Sequence, residues 1–279
     1  MKIGSWEVNP VVAGMFRLDG GAMFGVVPKN LWSRVAPADD ENRISMAMRN
    51  LVIRGQGRVV VVDTGSGIGY GKKLENIYGF ENFVSLTDAL RDIDLKPEDV
   101  TDVILTHLHF DHAGGAAIQD GAGWKLAFPN AAHHIQNAQW EHALNPNPRD
   151  RASYFSERIA PIESEGVLEL HDGDWALCPG LDVLAFHGHT PGQHLPRLSV
   201  DRVALFYCGD LIPTAAHIPT PYVMAYDLDP VLAMEEKTAV LKRAADEDWI
   251  LVFEHDPSVE ACRVEVLDGR FQLGETVTL

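Results

Sequence analysis

Short apolar runs, separated by glycine, proline and polar residues, recur along most of this chain. Residues 1–20 alternate apolar and polar positions, which predicts a first strand or hairpin. Residues 46–54 and 58–62 flank Gly55-Gln56-Gly57 and predict a second hairpin. The second strand of this hairpin is an apolar run from Val59 that ends in Asp63. Further strands are predicted, in chain order, at residues 103–105, 124–128, 167–170, 175–177, 183–186, 203–207 and 249–253, with short β-like segments over 259–279.

Helical spacing of apolar residues predicts helices at 85–95 and 231–245. A polar helix is predicted after the strand at 124–128; we expect its His133, His134 and His142, and also His171, to be exposed to solvent. Residues 140–165 contain Asn145-Pro146-Asn147-Pro148 and a short helix at about 153–159, so they predict an insertion or a lid.

The segment from Asp19 to Arg34, DGGAMFGVVPKNLWSR, combines turn residues with large apolar side chains. A loop of this composition has to be covered by something. Packing on the protein's own core is one interpretation, and the alternatives are a pocket wall or the surface of a homodimer.

Composition limits the partners. The 279 residues, 46% hydrophobic and 23% charged, are typical of a globular protein with a sizeable core. A net charge of −17 argues against nucleic acid or an anionic membrane as the main partner. Three cysteines without a CxxC pair, no apolar stretch of membrane-spanning length and no signal-peptide pattern lead us to expect a cytoplasmic protein.

The candidate chemistry begins at TDVILTHLHFDHAGG, residues 101–115. A short apolar strand is followed directly by His107, His109, Asp111 and His112. Two histidines one residue apart on extended chain point the same way, so both can reach one cation. Ala-Gly-Gly then suits a turn with closely approaching backbone. This cluster predicts a metal site.

Three later strand ends carry the same kind of residue. His187 and His189 follow the strand at 183–186, Asp210 follows the strand at 203–207, and His255 follows the strand at 249–253. Loops at such strand ends converge over one edge of an α/β sheet. A single histidine after a strand is a weak signal, whereas four such endings together indicate one cluster.

These residues resemble the metallo-β-lactamase superfamily. THLHFDHAGG matches its H-x-H-x-D-H motif, GHTPG its third-histidine motif, CGD its bridging-aspartate motif and EHD its last histidine, while residues 59–67 match its strand ending in D-T-G. The resemblance implies an α/β fold, a four-layer αββα sandwich of two similar halves. It implies a single domain over residues 1–279, with pseudo-halves at about 1–165 and 166–279.

The resemblance also implies a ligand set for two divalent metal ions. His107, His109 and His189 would bind the first ion, Asp111, His112 and His255 the second, and Asp210 would bridge them. Imidazoles and shared carboxylates suit zinc, and iron, manganese or cobalt is also compatible. Asp63 is expected to accept a hydrogen bond from a ligand imidazole, or else to cap its strand; His187 and His194 are expected to support the ligands or to be structural.

Flanking segments indicate the branch of the superfamily. Asp210 argues against the penicillin-hydrolysing branches, and Leu108 and Phe110 argue against the flavodiiron branch. Residues 19–34 and 210–229 resemble the YtnP-type quorum-quenching lactonases and, more distantly, methyl parathion hydrolase. The resemblance implies opening of a lactone, such as an N-acyl-homoserine lactone, by a metal-bridging hydroxide, with Asp111 passing a proton to the leaving alkoxide.

The substrate pocket is the least defined part of this prediction. Better-known lactonases carry a tyrosine three residues after the bridging aspartate, and this chain has Pro213 there. Tyr222 or Tyr226 is a replacement candidate. The remaining residues expected at the pocket are Met23, Phe24, Trp32 and His217.

Three rival functions remain open at this point. The same site could hydrolyse a phosphotriester or an aryl ester. A mononuclear iron oxidoreductase resembling the persulfide dioxygenases is a second alternative, and a non-catalytic metal-binding protein is a third.

Overall fold

The computed structural model describes all residues from Met1 to Leu279. Its sixteen strands are β1 (Lys2–Ile3), β2 (Trp6–Asp19), β3 (Arg43–Gly55), β4 (Arg58–Val62), β5 (Asp102–Ile104), β6 (Ala117–Asp120), β7 (Gly123–Leu126), β8 (Ala132–Gln136), β9 (Leu168–His171), β10 (Trp175–Cys178), β11 (Leu181–Phe186), β12 (Gln193–Val200), β13 (Val203–Tyr207), β14 (Ile250–Val252), β15 (Ala261–Leu267) and β16 (Arg270–Val277).

Its eight α-helices are α1 (Gly20–Phe24), α2 (Lys29–Trp32), α3 (Lys72–Tyr78), α4 (Leu86–Ala89), α5 (Phe110–Ala113), α6 (Asn137–Leu144), α7 (Ser156–Ser164) and α8 (Pro230–Glu247). Short 3₁₀ helices lie at Leu90–Ile93, Pro97–Asp99, Arg151–Ser153, Gly209–Leu211 and Ala215–His217. None of these helices combines the length and the apolar character that crossing a bilayer would require.

Two seven-stranded sheets form the centre of the molecule. The first has the order β1-β2-β3-β4-β5-β8-β9, and the second has the order β10-β11-β12-β13-β14-β15-β16. Pairing is parallel from β4 through β5 and β8 to β9, and again between β13 and β14. The last strand of the first sheet ends at His171, and the first strand of the second sheet begins at Trp175. The expected division of the domain into two pseudo-halves at about residue 165 stays a prediction.

Three apolar clusters define four layers. The inner faces of the two sheets meet in a cluster that joins Val60 and Ile104 to Val183 and Val252. The outer face of the first sheet is covered by the helices around α6 and α7, and the outer face of the second is covered by α8. The predicted αββα sandwich is therefore confirmed.

The region of the predicted polar helix differs from the expectation. His133 and His134 lie on β8, a strand between two parallel neighbours, and both side chains are buried. The helix begins only at Asn137, while His142 and His171 are half-buried. The prediction of four exposed histidines was wrong because hydrogen bonds compensate their burial, as between His134 Nε2 and Asp102 Oδ1 at 3.1 Å.

The apolar segment from Asp19 to Arg34 folds as α1 and α2. The Asp19 carboxylate accepts a hydrogen bond from the Ala22 backbone N–H and so caps α1. Met23, Phe24 and Trp32 are buried in one cluster with Met46 and other residues of β2 and β3. The segment thus packs on the protein's own core; its use in a homodimer stays a prediction.

Candidate metal centre

Four strand ends bring the candidate ligands together at one edge of the sandwich. His107, His109, Asp111 and His112 lie on the loop after β5 and on the first turns of α5. His189 follows β11, Asp210 follows β13, and His255 follows β14. All seven side chains are buried or nearly so, and they form two groups whose ligand atoms lie within 4.8 Å of one another.

The first group is built around His109. Its Nδ1 lies 2.9 Å from His107 Nε2 and 3.2 Å from His189 Nε2. The Asp210 Oδ2 atom lies 3.1 Å from His189 Nε2 and 3.8 Å from His107 Nε2. Three imidazole nitrogens and one carboxylate oxygen therefore face a common point.

The second group uses the other oxygen of Asp210. Asp210 Oδ1 lies 3.1 Å from His255 Nε2 and 3.5 Å from His112 Nε2. Asp111 Oδ2 lies 3.8 Å from each of these two imidazole nitrogens. Asp210 thus lies between the two groups, with one oxygen directed to each.

The donor set fits divalent cations. Asp210 Oδ1 is buried and has no hydrogen-bond donor within the protein. Five of the candidate ligands are histidines, and in four of them, His107, His112, His189 and His255, the outer nitrogen Nδ1 already donates to a protein oxygen. The inward nitrogen Nε2 of these rings is therefore left with a lone pair for a cation. Inward lone pairs crowded beside a carboxylate are the arrangement that a bound cation stabilises.

The supporting oxygens fix the orientation of the ligand rings. His112 Nδ1 lies 3.1 Å from Asp63 Oδ2 and 3.0 Å from Glu254 Oε2. Asp63 in turn accepts hydrogen bonds of 2.7 Å from the backbone N–H and the hydroxyl of Thr106. The structure thus places Asp63 directly behind a candidate ligand.

Two supporting carboxylates were missed in the sequence. Asp227 Oδ1 accepts a hydrogen bond of 2.9 Å from His189 Nδ1, and its Oδ2 accepts one of 2.8 Å from the Met224 backbone N–H. Glu254 directly precedes His255 and lies beside His112. The adjacency of Glu254 to a candidate ligand was an available signal, whereas nothing local marks Asp227 among the acidic residues of its loop.

Burial and neighbouring charge set the protonation of this centre. Burial and the neighbouring imidazoles hold the pKa values of His107 and His109 well below the usual range. Burial also raises the pKa of Glu254 to about 8, against the opposing effect of His112. For His255, burial lowers the pKa, but the Asp210 carboxylate, whose Oδ1 lies 3.1 Å from His255 Nε2, outweighs burial and raises the pKa to about 9.

The two flanking histidines form no hydrogen bond to a candidate ligand side chain. His187 is exposed, and its Nδ1 accepts a hydrogen bond of 3.1 Å from the Gly192 backbone N–H. His194 is buried, and its Nδ1 accepts one of 3.3 Å from Trp175 Nε1. Their expected role in supporting ligands therefore has no geometric basis, and the structural alternative describes both.

Glycine is required after the histidine cluster. A Cβ atom at Gly114 would lie 2.3 Å from the Ser66 carbonyl oxygen, and one at Gly115 would lie 2.2 Å from the Thr64 carbonyl oxygen. The D-T-G loop can therefore approach α5 only if these positions lack side chains. This contact places Asp63 behind His112.

A cavity of about 420 Å³ opens onto the candidate ligands His109, Asp111, His189, Asp210 and His255. Its other lining residues are Leu18, Ala22, Met23, Met46, Tyr78, Phe110, Arg149, Asp150, Ala152, Ser153, Met224, Ala225 and Tyr226. Arg149 to Ser153 belong to the segment expected to form an insertion or lid. Burial raises the pKa of the neighbouring Tyr78 to about 12, so its hydroxyl stays protonated at neutral pH.

Only two of the six expected pocket residues, Met23 and Tyr226, line this cavity. Phe24 and Trp32 are 0% and 1% exposed, and their rings stack with centroids 5.4 Å apart. His217 is buried beneath them, donating from Nε2 to the Met23 carbonyl at 2.8 Å. Phe24 and Trp32 belong to the core because α1 and α2 turn their large side chains inward, and His217, from the 3₁₀ helix Ala215–His217, stacks on Phe24 with ring centroids 4.5 Å apart.

Tyr222 lies elsewhere than expected. It packs against the edge of Phe24 and lines a separate cavity of about 520 Å³ that contains none of the seven candidate ligands. Pro213 contributes only backbone near the centre, where its carbonyl accepts a hydrogen bond of 3.0 Å from the His255 N–H.

Comparison with known proteins agrees with this geometry. The family model described as "Metallo-beta-lactamase superfamily" matches residues 50–255. An N-acyl homoserine lactonase from Bacillus thuringiensis is 28% identical over 181 residues, which are 64% of this chain and 65% of that protein. The chain thus aligns with just under two thirds of that relative's length.

Several solved structures align with the whole chain. A probable metal-dependent hydrolase from Staphylococcus aureus is 30% identical, covers 100% of both chains and has a TM-score of 0.89. AidC, a dizinc quorum-quenching lactonase, is 22% identical with a TM-score of 0.80 over 100% of this chain and 97% of that one, a likeness of fold. The family match over most of the chain, together with the αββα fold, shows that this protein belongs to the metallo-β-lactamase superfamily.

Proposed function

We propose that this protein is a metal-dependent hydrolase that opens a lactone ring, with N-acyl-homoserine lactones as its substrate class. The observation that carries the proposal is the position of Asp210, one oxygen directed to each group of candidate ligands, at the base of a largely apolar cavity. The names of the relatives with lactonase activity support the same class of reaction.

The proposed cofactor is a pair of divalent ions, with zinc the best match to the donors. His107, His109, His189 and one oxygen of Asp210 would hold the first ion. Asp111, His112, His255 and the other oxygen of Asp210 would hold the second. Such a pair, when bound, polarises a carbonyl oxygen and lowers the pKa of water.

Two side chains of the protein would transfer the proton to the leaving alkoxide and donate a hydrogen bond to the substrate carbonyl. Asp111 lines the cavity beside His112 and His255, so its carboxylate is placed to pass a proton to the leaving alkoxide. Tyr226 lines the same cavity and its hydroxyl has no partner within the protein, so we propose it as the hydrogen-bond donor that Pro213 cannot be.

Tyr226 is held in position by its neighbours in the chain. Asp227 is hydrogen-bonded to His189, and the Ala225 N–H donates to the Ala22 carbonyl at 2.8 Å. The Leu228 N–H also donates to the His189 carbonyl at 3.0 Å. A residue whose chain neighbours on both sides are held by hydrogen bonds is well suited to orient a substrate.

The cavity wall suits an acyl chain. Leu18, Met23, Met46, Phe110 and Met224 supply its apolar part. Methionine side chains are unbranched and adapt to chains of different length. We therefore propose that the acyl group lies against these residues while the ring carbonyl faces the ligand cluster.

The test is a panel of lactones assayed with metal-replete protein, after chelation, and after metal is restored. The proposal expects lactone opening that chelation abolishes and metal restores, with two ions per chain by elemental analysis. One iron per chain with oxidation of a persulfide would favour the oxygenase alternative. A higher catalytic efficiency on a phosphotriester or an aryl ester than on every lactone would favour the alternative hydrolase.

A further inference from the structure

Asp150 lines the cavity but belongs to neither group of candidate metal ligands. The Asp150 side chain is 6% exposed. The Oδ2 atom accepts a hydrogen bond of 2.7 Å from His142 Nε2, and the Oδ1 atom is buried without any donor in the protein. The Oδ2 atom is therefore held by His142, whereas the Oδ1 atom has no hydrogen-bond partner in the protein.

No cation of the chain supplies the missing contact. Asp150 forms an ion pair only with His142, and the adjacent Arg149 directs its guanidinium to the Ala225 carbonyl. Leaving a buried carboxylate oxygen unpaired costs free energy, so such atoms usually have a partner in the functional state. A donor that enters the cavity would remove this cost.

The pair lies on the same wall as the metal centre. The Tyr154 ring contacts both sides, with its centroid 5.8 Å from the His142 ring and 4.9 Å from the His109 ring. The Tyr154 hydroxyl lies 3.2 Å from both Gln139 Oε1 and Thr190 Oγ1, which fixes the ring between them. Tyr154 therefore links the Asp150–His142 pair to His109.

We propose that Asp150 determines substrate specificity by accepting a hydrogen bond from an N–H group next to the scissile ester. The matching substrate is an N-acylated amino lactone, whose amide N–H lies on the carbon beside the ring carbonyl. His142 is a positioning residue, because its ring holds Oδ2 and leaves Oδ1 for the substrate. This inference rests on the proposed lactonase function and adds the feature of the substrate that is recognised.

A lactone that lacks the N–H would bind with the Asp150 oxygen still unpaired. Sites built to pair a substrate donor discriminate strongly against analogues without it, because the buried acceptor stays unsatisfied. Asp150 therefore predicts a preference for the amide over an otherwise similar hydrocarbon chain.

The experiment compares two substrates of equal chain length, N-hexanoyl-homoserine lactone and an α-alkyl-γ-butyrolactone in which carbon replaces the amide. Kcat/KM is measured for both with wild-type protein, D150N and the control E157Q, which makes the same chemical change at an exposed residue of α7. We expect D150N to lower kcat/KM for the amide substrate about tenfold or more and to change the other less than about twofold. E157Q should match the wild type.

The ratio of the two efficiencies does not depend on the fraction of folded protein, so partial misfolding of D150N leaves it readable. H142L should lower the same ratio, because Asp150 then loses its anchor. Equal losses on both substrates, or no loss on either, would overturn the assignment to Asp150 while leaving the lactonase proposal intact. Failure of the wild-type protein to open either lactone would reject both proposals.

Discussion

Individual carboxylates behind the candidate metal centre decide which nitrogen of His112 and of His189 is free. Asp227 lies behind His189, and Asp63 and Glu254 lie behind His112. Asp227 accepts from the outer nitrogen of His189 and Asp63 from that of His112, so the inner nitrogen of each ring keeps its lone pair. We therefore expect the supporting residues to contribute to metal affinity without reaching the cavity.

Replacing Asp227 by asparagine should weaken metal binding. The amide keeps the shape but no longer offers a charged acceptor to His189, so we expect about a 10- to 100-fold lower affinity. Competition with a coloured chelator measures this, and Asp201→Asn, on the exposed turn between β12 and β13, is the matched control. Equal affinities of the two variants would contradict the role of Asp227.

Phe24 occupies a core position, whereas Leu18 occupies a position in the cavity wall, so substitutions at the two should have different effects. Phe24 is fully buried between Trp32 and His217, so Phe24→Ala should cost about 3–5 kcal/mol in the free energy of unfolding. Leu18 is half-buried and lines the cavity, so Leu18→Ala should weaken long-chain more than short-chain substrates. Urea denaturation measures the first effect, and activity on substrates of increasing acyl-chain length measures the second. Unchanged stability of Phe24→Ala together with a selective loss of activity on long-chain substrates would place Phe24 in the pocket.

At the scale of elements, side chains from distant segments clamp the loops around the centre. Arg158 of α7 donates to the carbonyls of Ser66 and Gly114 at 3.1 Å and to that of Ile68 at 2.8 Å. Its guanidinium lies 4.0 Å from the Tyr70 ring centroid and 4.5 Å from that of Trp124. The helix thus holds the D-T-G loop against the histidine loop.

Buried histidines on several elements should make stability depend on pH. Burial lowers the pKa of His133 on β8 to about 4, and those of His194 on β12 and His217 to about 3. Below an unfolded pKa of about 6.5, only the unfolded chain takes up these protons. The free energy of unfolding should therefore fall as pH falls from about 6.5 toward about 4.

Substitution of a single buried histidine tests this dependence of stability on pH. His133→Gln should reduce the slope of stability against pH by up to about 1.4 kcal/mol per pH unit between pH of about 6 and about 4.5. Urea denaturation of the metal-loaded wild type and variant at several pH values measures it. Parallel curves would show that His133 takes up a proton in the folded state as readily as in the unfolded state.

For the whole molecule, the metal centre joins the two sheets. Four candidate ligands come from the loop after β5 of the first sheet, and three come from loops of the second. A cation bound by both sets favours the folded state over the unfolded state by mass action. The centre is thus expected to be structural as well as catalytic.

Removal of metal should lower the melting temperature by about 10 °C, since an ion present at about a thousand times its dissociation constant contributes about 4 kcal/mol. Differential scanning calorimetry with chelator, and after zinc is restored, measures the shift. Asp210→Ala should lose most of the response because it removes one ligand from each group. An unchanged melting temperature would contradict a centre that links the sheets.

The fold class and the grouping of the candidate ligands were predictable from sequence because their signals are local. Histidines and aspartates stand directly after apolar strands, and the αββα fold they indicated is confirmed. The strand from Ala132 to Gln136 was missed because two histidines interrupt its apolar pattern, and partners such as Asp102 compensate them only in the folded protein.

Tertiary structure alone decided which residues support the centre and which wall the cavity. Asp227 and His189 are 38 positions apart and Asp63 and His112 are 49 apart, so their pairing depends on how the loops pack. Phe24 and Trp32 looked equally suited to a pocket, but the inward turn of α1 and α2 buries them. The physical reason is that the end of a strand is determined by residues adjacent in sequence. Whether a side chain faces the cavity or the core is instead determined by its contacts with distant parts of the chain.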